Sequence, residues 1–172
     1  MLVILSGLPG AGKTTIARLV CQRLGAVHVR IDTIEQALLA ADDSVRMVGT
    51  AGYMIAYGVA LDNLRIGATV VADSVNPLDV TRRAWRDVGS AAEVDTLDVE
   101  IICSNPADHR RRVEARATDV DEVKPSQWSD VVGREYDPWG DDAVTVDTAG
   151  RTPDECAAEI VAAVSRQLKK YS

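Results

Sequence analysis

Residues 7–14 form an uninterrupted Gly-rich motif, Gly7-Leu8-Pro9-Gly10-Ala11-Gly12-Lys13-Thr14. The spacing G-x-x-x-x-G-K-T is typical of a phosphate-binding loop between a strand and a helix. Here an apolar run precedes the motif at residues 2–5, and a helix-like stretch follows it at residues 16–24. Glycines let successive backbone N–H groups point inward, and a helix N-terminus adds its positive dipole end. The motif therefore predicts a site for the phosphates of a nucleoside triphosphate.

The side chains of this phosphate loop predict how it holds a nucleotide. Lys13 can reach the β- and γ-phosphates and neutralise charge during phosphoryl transfer, and the hydroxyl of Thr14 can ligate Mg²⁺. We expect ATP to contact the whole loop, namely Gly7, Leu8, Pro9, Gly10, Ala11, Gly12, Lys13, Thr14 and Thr15. The alternative to a nucleotide site is a Gly-rich turn that only connects the strand to the helix.

Two aspartates follow two further strand-like runs. In open α/β sheets, the carboxyl ends of the strands meet at the ligand-binding edge, so both carboxylates are expected beside the phosphate loop. Asp73 follows the third run, where it would hold Mg²⁺ through water together with Thr14. Ser74 comes next, where motor ATPases usually carry a Glu that orients the attacking water, and this favours a transferase over an ATP-hydrolysing machine. The alternative is that Asp73 only stabilises a turn or caps a helix.

Asp32 follows the second run and is the predicted catalytic base. A carboxylate near the γ-phosphate can accept the proton of an acceptor hydroxyl and hold that hydroxyl in line for attack. The alternative is that Asp32 only caps a helix that starts at Thr33. On the same strand, His28 is interpreted as a structural histidine.

An arginine cluster, Arg110-Arg111-Arg112, lies on a predicted helix over residues 106–117. Arg112 and Arg116 are four residues apart and share a helix face. Guanidinium groups suit phosphate oxygens, so both are predicted to contact the transferring phosphate. An irregular stretch over residues 118–142 follows, and the two together predict a closing lid at about 110–142. A solvated basic helix face is the alternative.

Five further side chains are candidates for an acceptor pocket next to Asp32. Tyr53 and Tyr57 are spaced to share one face of a long apolar helix predicted over residues 45–66, where core packing is the alternative. Asn76 and Arg83 follow the third strand and could reach the same pocket, as could the neighbouring Arg82.

The elements that position these residues alternate along the chain. Strands are predicted at residues 2–6, 27–31, 69–72, 96–103 and 143–146. Helices are predicted at residues 13–24, 33–41, 45–66, 79–88, 106–117 and 153–169, with a short helix near residues 127–136. Alternating βα units predict an α/β fold with a parallel sheet between helices. At 172 residues the chain is expected to form a single domain, 1–172.

The composition narrows the classes of partner. The net charge is −7, which makes nucleic acid an unlikely partner because phosphate-backbone binders usually carry a basic face. The three cysteines are far apart in the sequence and form no C-x-x-C or Cys/His cluster, so neither a zinc site nor a disulfide framework is expected. No uncharged apolar stretch of 18 residues or more occurs, so no membrane span is predicted. A cytoplasmic location is expected, and the sequence leaves the oligomeric state open.

Together these motifs resemble the small P-loop kinases, a group that includes chloramphenicol phosphotransferase, gluconate kinase, the zeta toxins and the kinase domain of polynucleotide kinase. The resemblance covers nearly the whole chain and rests on the phosphate loop, Ile31-Asp32-Thr33, Val70-Val71-Ala72-Asp73, Asn76-Pro77 with Arg83 and Trp85, Arg112 with Arg116, and Val144-Thr145-Val146-Asp147-Thr148. It implies a three-layer P-loop NTPase fold with a five-stranded parallel sheet in the order 2-3-1-4-5, flanked by helices, plus a lid.

The resemblance also implies roles for individual residues. Asp32 would be the catalytic base, Arg112 and Arg116 would contact the transferring phosphates, and the loop that begins at Thr148 would lie against the adenine. The resulting expectation is a kinase that uses ATP and Mg²⁺ to phosphorylate a hydroxyl of a small molecule. Two alternatives stay open: a nucleoside or polynucleotide 5′-hydroxyl kinase, and a non-catalytic ATP-binding regulatory module.

Overall fold

The computed structural model describes residues 1–41, 49–115, 127–140 and 142–169. Its strands are β1 (Leu2–Ser6), β2 (Val27–Arg30), β3 (Val70–Asp73), β4 (Thr96–Ile102) and β5 (Val144–Asp147). All four strand pairings are parallel, and the sheet has the order β2-β3-β1-β4-β5. This is the order 2-3-1-4-5 expected of a P-loop NTPase fold, so the predicted fold class is confirmed.

Helices cover both faces of the sheet. They are α1 (Lys13–Leu24), α2 (Ile31–Ala41), α3 (Ala51–Arg65), α4 (Asp79–Ala91), α5 (Pro106–Glu114), α6 (Trp128–Val132) and α7 (Pro153–Leu168). One core cluster joins α1 and α7 to one face of the sheet, and a second joins α3 and α4 to the other. The central strand β1 is buried at every position, which explains its uninterrupted apolar run.

The register of the sheet brings the predicted chemistry to one edge. Asp73, the last residue of β3, pairs with Leu5 of β1 on one side and with Arg30 of β2 on the other. Because the strands are parallel, the phosphate loop after β1 and Asp32 after β2 emerge at this same edge. The sheet order thus makes the three segments neighbours.

Several predicted helix boundaries differ from the structure. Helix α2 begins at Ile31 directly after β2, so Asp32 lies in the first helical turn and does not cap a helix starting at Thr33. Helix α3 begins at Ala51 and not at residue 45, and α5 ends at Glu114. Asn105 caps α5 by accepting hydrogen bonds from two backbone N–H groups, and Pro106 fills its first turn.

Part of the predicted lid lies outside the described residues, including Arg116 and the segment 117–126. Within the described ranges, no helix is both long and apolar enough to cross a membrane.

Candidate nucleotide and acceptor site

The backbone of the phosphate loop needs its glycines. Gly7, Gly10 and Gly12 have φ values of 140°, 81° and 104°, a region that L side chains rarely adopt. A Cβ atom on Gly7 would come within 2.1 Å of the carbonyl oxygen of Ile101. The loop therefore lies directly against β4, and Gly12 leads into α1 in a left-handed conformation.

Lys13 is held at the phosphate loop by the loop itself. Its side chain is buried, and Nζ donates a hydrogen bond of 2.9 Å to the carbonyl oxygen of Leu8. This bond turns the ammonium group back across the loop. The group is thus positioned where the amides and the α1 N-terminus already favour anions.

Asp73 is the buried carboxylate beside Lys13 and Thr14. The residue is 3% exposed, and Oδ2 lies 3.2 Å from Nε2 of His28. Burial alone would raise the pKa of Asp73, but hydrogen bonds from His28 and Thr14 and the positive charge of Lys13 together hold the pKa below its usual value. The carboxyl group is therefore ionised at neutral pH.

The Thr14 hydroxyl and the Asp73 carboxylate fit Mg²⁺, which prefers oxygen ligands and keeps several waters. Among residues 1–41, 49–115, 127–140 and 142–169, no group of three or more His, Cys, Asp or Glu side chains could hold a metal. Mg²⁺ usually keeps several waters and is bound by one or two carboxylates plus substrate phosphates, which suits this pair of oxygen ligands.

Arg30 connects the two aspartates. Its Nη2 donates a 2.9 Å hydrogen bond to Oδ2 of Asp32, and its Nε lies 4.0 Å from Oδ2 of Asp73. The Arg30 side chain is only 12% exposed, whereas that of Asp32 is 40% exposed. Asp32 is thus more accessible than Asp73, and the partly buried Arg30 fixes it at the edge of the site.

The two tyrosines of α3 have different surroundings. The Tyr53 hydroxyl approaches the side chain of Ser74 and the backbone of Asn76, and burial is the main reason that its pKa is raised. The Tyr57 ring packs edge-on against the buried Trp85 with centroids 4.7 Å apart, and both tyrosines are partly buried against the core cluster of α3 and α4. The structure therefore brings Tyr53 to the site and directs Tyr57 towards the core.

Asn76 and Arg83 also differ in their positions. Asn76 is fully buried, has a φ of 44°, and donates a 3.1 Å hydrogen bond from Nδ2 to the hydroxyl of Ser6. Arg83 is 68% exposed and forms an ion pair of 2.7 Å with Asp79 on the same helix. Asn76 thus supports the turn after β3, while Arg83 lies on the outer surface of α4.

Arg82 is the buried arginine of α4, and no feature of the sequence favours it over Arg83. It is 2% exposed and donates four hydrogen bonds of 2.7–3.1 Å to backbone carbonyl oxygens of Asn76, Pro77, Asp137 and Pro138. The guanidinium carbon lies 3.9 Å from the centroid of the Trp139 ring. Arg82 therefore joins the turn after β3 to the segment 136–139.

Arg112 and Thr148 form a second junction beside the phosphate loop. Arg112 donates from Nη1 to the Thr148 hydroxyl at 2.8 Å and from Nη2 to its carbonyl oxygen at 3.1 Å. The same hydroxyl lies 3.0 Å from the carbonyl oxygen of Ala11 and 2.9 Å from that of Ile102. This places the predicted lid arginine and the predicted adenine loop against each other and against the phosphate loop.

His109 is a residue that sequence reasoning passed over. It is buried, and its Nε2 donates a 2.8 Å hydrogen bond to the carbonyl oxygen of Pro9 in the phosphate loop. Its ring also packs edge-on against Trp128 of α6, with centroids 5.2 Å apart. The only signal in the sequence is a histidine directly before three arginines, and the arginines dominate that pattern.

A family model described as an AAA domain matches residues 2–134 of this chain. The matched range includes the phosphate loop, Asp32, Asp73 and helix α5.

Two curated relatives are similar over nearly the whole chain. Threonine synthase-like 1 from Homo sapiens is 26% identical over 174 residues, which cover 95% of this chain and 22% of the human protein. The chain thus spans about a fifth of the length of that relative. A protein named "Putative adenylate kinase" from Thermococcus kodakarensis is 25% identical over 176 residues, which cover 99% of this chain and 89% of that protein.

The fold is also found among solved structures. The crystal structure of a "putative kinase" from Chloroflexus aurantiacus superposes with a TM-score of 0.78 at 20% sequence identity, covering 99% of this chain and 97% of that one. At this identity the similarity shows the fold alone, which is the P-loop NTPase fold of the five-stranded parallel sheet described above.

Proposed function

The chain belongs to the AAA domain family, and from this premise we propose that it is an ATP- and Mg²⁺-dependent phosphotransferase that moves the γ-phosphoryl group to a hydroxyl of a small molecule. One observation carries the proposal. Arg30 bonds the accessible carboxylate of Asp32 and lies 4.0 Å from the buried carboxylate of Asp73, at the edge where the phosphate loop emerges.

In the proposed reaction, the chain's own residues bind and orient ATP. Lys13 and the loop amides hold the β- and γ-phosphates, and Arg112 neutralises charge on the transferring group. We propose the same role for Arg116. Thr14 and Asp73 would hold Mg²⁺, which when bound neutralises charge on the phosphates. Thr148, bonded to Arg112, supports the side of the site where the adenine would lie.

Asp32 is proposed to activate the acceptor. Its carboxylate accepts the hydroxyl proton while the acceptor oxygen bonds to the γ-phosphorus and the bond from that phosphorus to the β-phosphate oxygen breaks, releasing ADP. Arg30 holds the carboxylate in place through its 2.9 Å hydrogen bond. Tyr53 is proposed to line the acceptor pocket. Tyr57 packs towards the core, Asn76 supports the turn after β3 and Arg83 lies on the outer surface of α4, so these three are not assigned to the pocket.

The experiment that tests this function is an acceptor screen with ADP production as the readout. Sugars, polyols, amino alcohols, hydroxy acids and nucleosides are tested with ATP and Mg²⁺, and products are identified by mass. Turnover is expected in the wild type and in Lys169→Met, which changes an exposed lysine, but not in Lys13→Met. ATP binding without any phosphorylated acceptor would contradict the proposal and favour a regulatory nucleotide-binding module.

Similarity to a protein named as an adenylate kinase favours a second candidate, phosphorylation of a nucleotide or nucleoside. Nucleosides and nucleoside monophosphates in the same screen separate it from the first. Turnover confined to these compounds would replace the proposed acceptor class.

A further inference from the structure

His28 of β2 contacts the buried carboxylate of Asp73. Its Nε2 lies 3.2 Å from Oδ2 of Asp73, closer than Nε of Arg30, which lies 4.0 Å from the same oxygen. His28 and Arg30 are two residues apart on the strand, so their side chains leave the sheet on the same face. Two side chains of β2 therefore bear on one oxygen of this carboxylate.

The direction of the hydrogen bond between His28 and Asp73 follows from the charge of the carboxyl group. Although burial works to raise the pKa of Asp73, its hydrogen bonds and the charge of Lys13 lower that pKa, so the carboxyl group is ionised at neutral pH. An ionised carboxylate can only accept hydrogen bonds, so Nε2 of His28 carries a hydrogen and donates it. The ring needs no positive charge for this, since a neutral imidazole with its hydrogen on Nε2 also donates.

This donation restricts the carboxylate that is proposed to hold Mg²⁺. The last torsion of an aspartate side chain has broad preferences, so sterics alone fix it poorly. Because a carboxylate is planar, holding Oδ2 also fixes the direction in which Oδ1 points. Thr14, the other proposed ligand of the ion, bonds the same carboxylate. Outer hydrogen bonds of this kind orient metal-binding side chains, and losing one typically costs about 10–100-fold in metal affinity or activity.

The ion pair between Arg86 and Asp98 is a comparable bond in another part of the sheet. Nε of Arg86 lies 2.7 Å from Oδ2 of Asp98, whose side chain is 12% exposed. Asp98 pairs with Ile4 in the middle of β1, whereas Asp73 is the last residue of β3, at the edge where the phosphate loop emerges. Of the two bonds, the one between His28 and Asp73 therefore lies where a complex of metal and nucleotide would bind.

We infer that His28 is a positioning residue for the Mg²⁺ that accompanies ATP, because it holds the Asp73 carboxylate in the orientation in which that group acts together with Thr14. His28 does not itself touch the ion. This inference rests on the proposed function, in which Thr14 and Asp73 hold Mg²⁺. A histidine that only packs in the fold would affect stability, but the affinity for metal would not depend on its N–H group.

The test measures metal binding directly. Mn²⁺ suits the same oxygen ligands as Mg²⁺, and its Kd is measured by electron paramagnetic resonance on the full chain saturated with a non-hydrolysable ATP analogue. Calorimetry gives the affinity for the analogue in EDTA, and urea denaturation checks folding.

Three variants of His28 are compared with the wild type. His28→Leu cannot donate a hydrogen bond, whereas the amide nitrogen in His28→Gln is as many bonds from Cβ as Nε2 is. His28→Asn carries the same amide group on a shorter side chain. Arg86→Met is the matched control, since it removes the comparable ion pair with Asp98.

In His28→Leu the Kd for Mn²⁺ should rise about 10-fold or more, while the Kd for the analogue in EDTA stays within about 2-fold of the wild type. His28→Gln should bind Mn²⁺ within about 3-fold of the wild type because its N–H group can still reach Oδ2 of Asp73, and His28→Asn should not. Arg86→Met should keep the wild-type Kd for Mn²⁺.

An unchanged Kd for Mn²⁺ in His28→Leu would overturn the inference, as would an equal loss of metal affinity in His28→Gln or in Arg86→Met. A loss of analogue affinity in EDTA as large as the loss of metal affinity would also reject it, because the whole site would then be damaged. If His28→Leu does not fold, the other two variants of His28 decide, and equal Mn²⁺ affinities in that pair reject the inference.

Failure of the proposed function gives a different result. If the wild type binds the analogue but no Mn²⁺, the metal is removed both from the proposed function and from this inference. If Mn²⁺ binding depends on His28 as expected but the acceptor screen yields no product, the kinase function fails while the role of His28 at the metal stands.

Discussion

Arg112 donates two hydrogen bonds to Thr148, from Nη1 to the hydroxyl at 2.8 Å and from Nη2 to the carbonyl oxygen at 3.1 Å. The pair joins helix α5 to the turn after β5, 36 residues further along the chain. Because the Thr148 hydroxyl also contacts the carbonyl oxygen of Ala11, this junction links the predicted lid to the phosphate loop.

Replacing Thr148 with Val should weaken both folding and ATP binding. The valine keeps the volume but leaves buried carbonyl groups and Nη1 of Arg112 without their partner, so we expect a loss of about 1–3 kcal/mol in the free energy of unfolding. The KM for ATP should rise. Urea denaturation and nucleotide titration measure the two effects, and Thr145→Val on the exposed position of β5 is the control. Equal effects of both substitutions would contradict the role of the hydroxyl.

Replacing Asp32 with Asn should abolish phosphoryl transfer with little change in ATP affinity. The amide cannot accept the acceptor's proton, so kcat is expected to fall by about 10²–10⁴-fold. ADP production with the best acceptor gives kcat, and calorimetric titration gives the affinity for ATP. Asp62→Asn serves as the control on an exposed site. A catalytic rate within a factor of about 2 of the wild type would remove Asp32 from its proposed role as base.

Replacing His109 with Phe should loosen the phosphate loop. Phe preserves the ring contact with Trp128 but loses the 2.8 Å hydrogen bond to the carbonyl oxygen of Pro9. One hydrogen bond contributes about 1 kcal/mol, so ATP affinity is expected to fall roughly 5-fold. Arg110→Gln, which changes an exposed residue of the same helix, should bind ATP as the wild type does. Unchanged affinity in His109→Phe would mean that the loop keeps its shape without this bond.

The neighbouring arginines of α4 should respond very differently to the same substitution. Arg82→Met removes four hydrogen bonds from a residue that is 2% exposed, so the free energy of unfolding should fall by about 3 kcal/mol or more. Arg83→Met affects an exposed i,i+4 ion pair and should change stability by about 0.5 kcal/mol or less. Equilibrium denaturation in urea distinguishes them, and similar losses would contradict the described burial.

Asp147 should contribute to the acid sensitivity of the fold. Its carboxylate accepts hydrogen bonds from Ser104 and from the backbone of Ala149, and these lower its pKa below the usual value of 3.8. Because the pKa of Asp147 is lower in the folded state, its ionised carboxylate stabilises the fold at pH values above the ordinary pKa. This contribution to stability is lost as the pH falls through the lowered pKa.

Asp147→Asn should therefore be less stable than the wild type at about pH 6, with a difference that shrinks towards about pH 3. Urea denaturation at the two pH values gives the difference, and Asp154→Asn, for which the carboxylate is largely exposed, is a useful comparison. If the stability difference between the wild type and Asp147→Asn grew as the pH fell, the predicted role of the Asp147 carboxylate would be wrong.

The phosphate loop and the parallel sheet could be predicted from sequence because their signals are local. A Gly-rich loop with Lys13 and Thr14 needs only eight neighbouring residues, and the buried strand β1 shows in its own apolar run. Helix boundaries could not be predicted as well from the sequence. Asp32 suits both the cap and the first turn of a helix, and the structure shows that α2 begins at Ile31, directly after β2, so Asp32 lies in its first turn.

Local patterns along the chain therefore predict the nucleotide-binding motif, the alternation of strands and helices, and an aspartate at or just after the end of two strands. The folded chain is needed to show that Arg82 and not Arg83 is buried, that Tyr53 rather than Tyr57 meets Ser74, and that His109 supports Pro9, 100 residues away. The physical reason is that these choices depend on how each helix is rotated against the sheet. That rotation is fixed by packing between distant parts of the chain, which no local pattern contains.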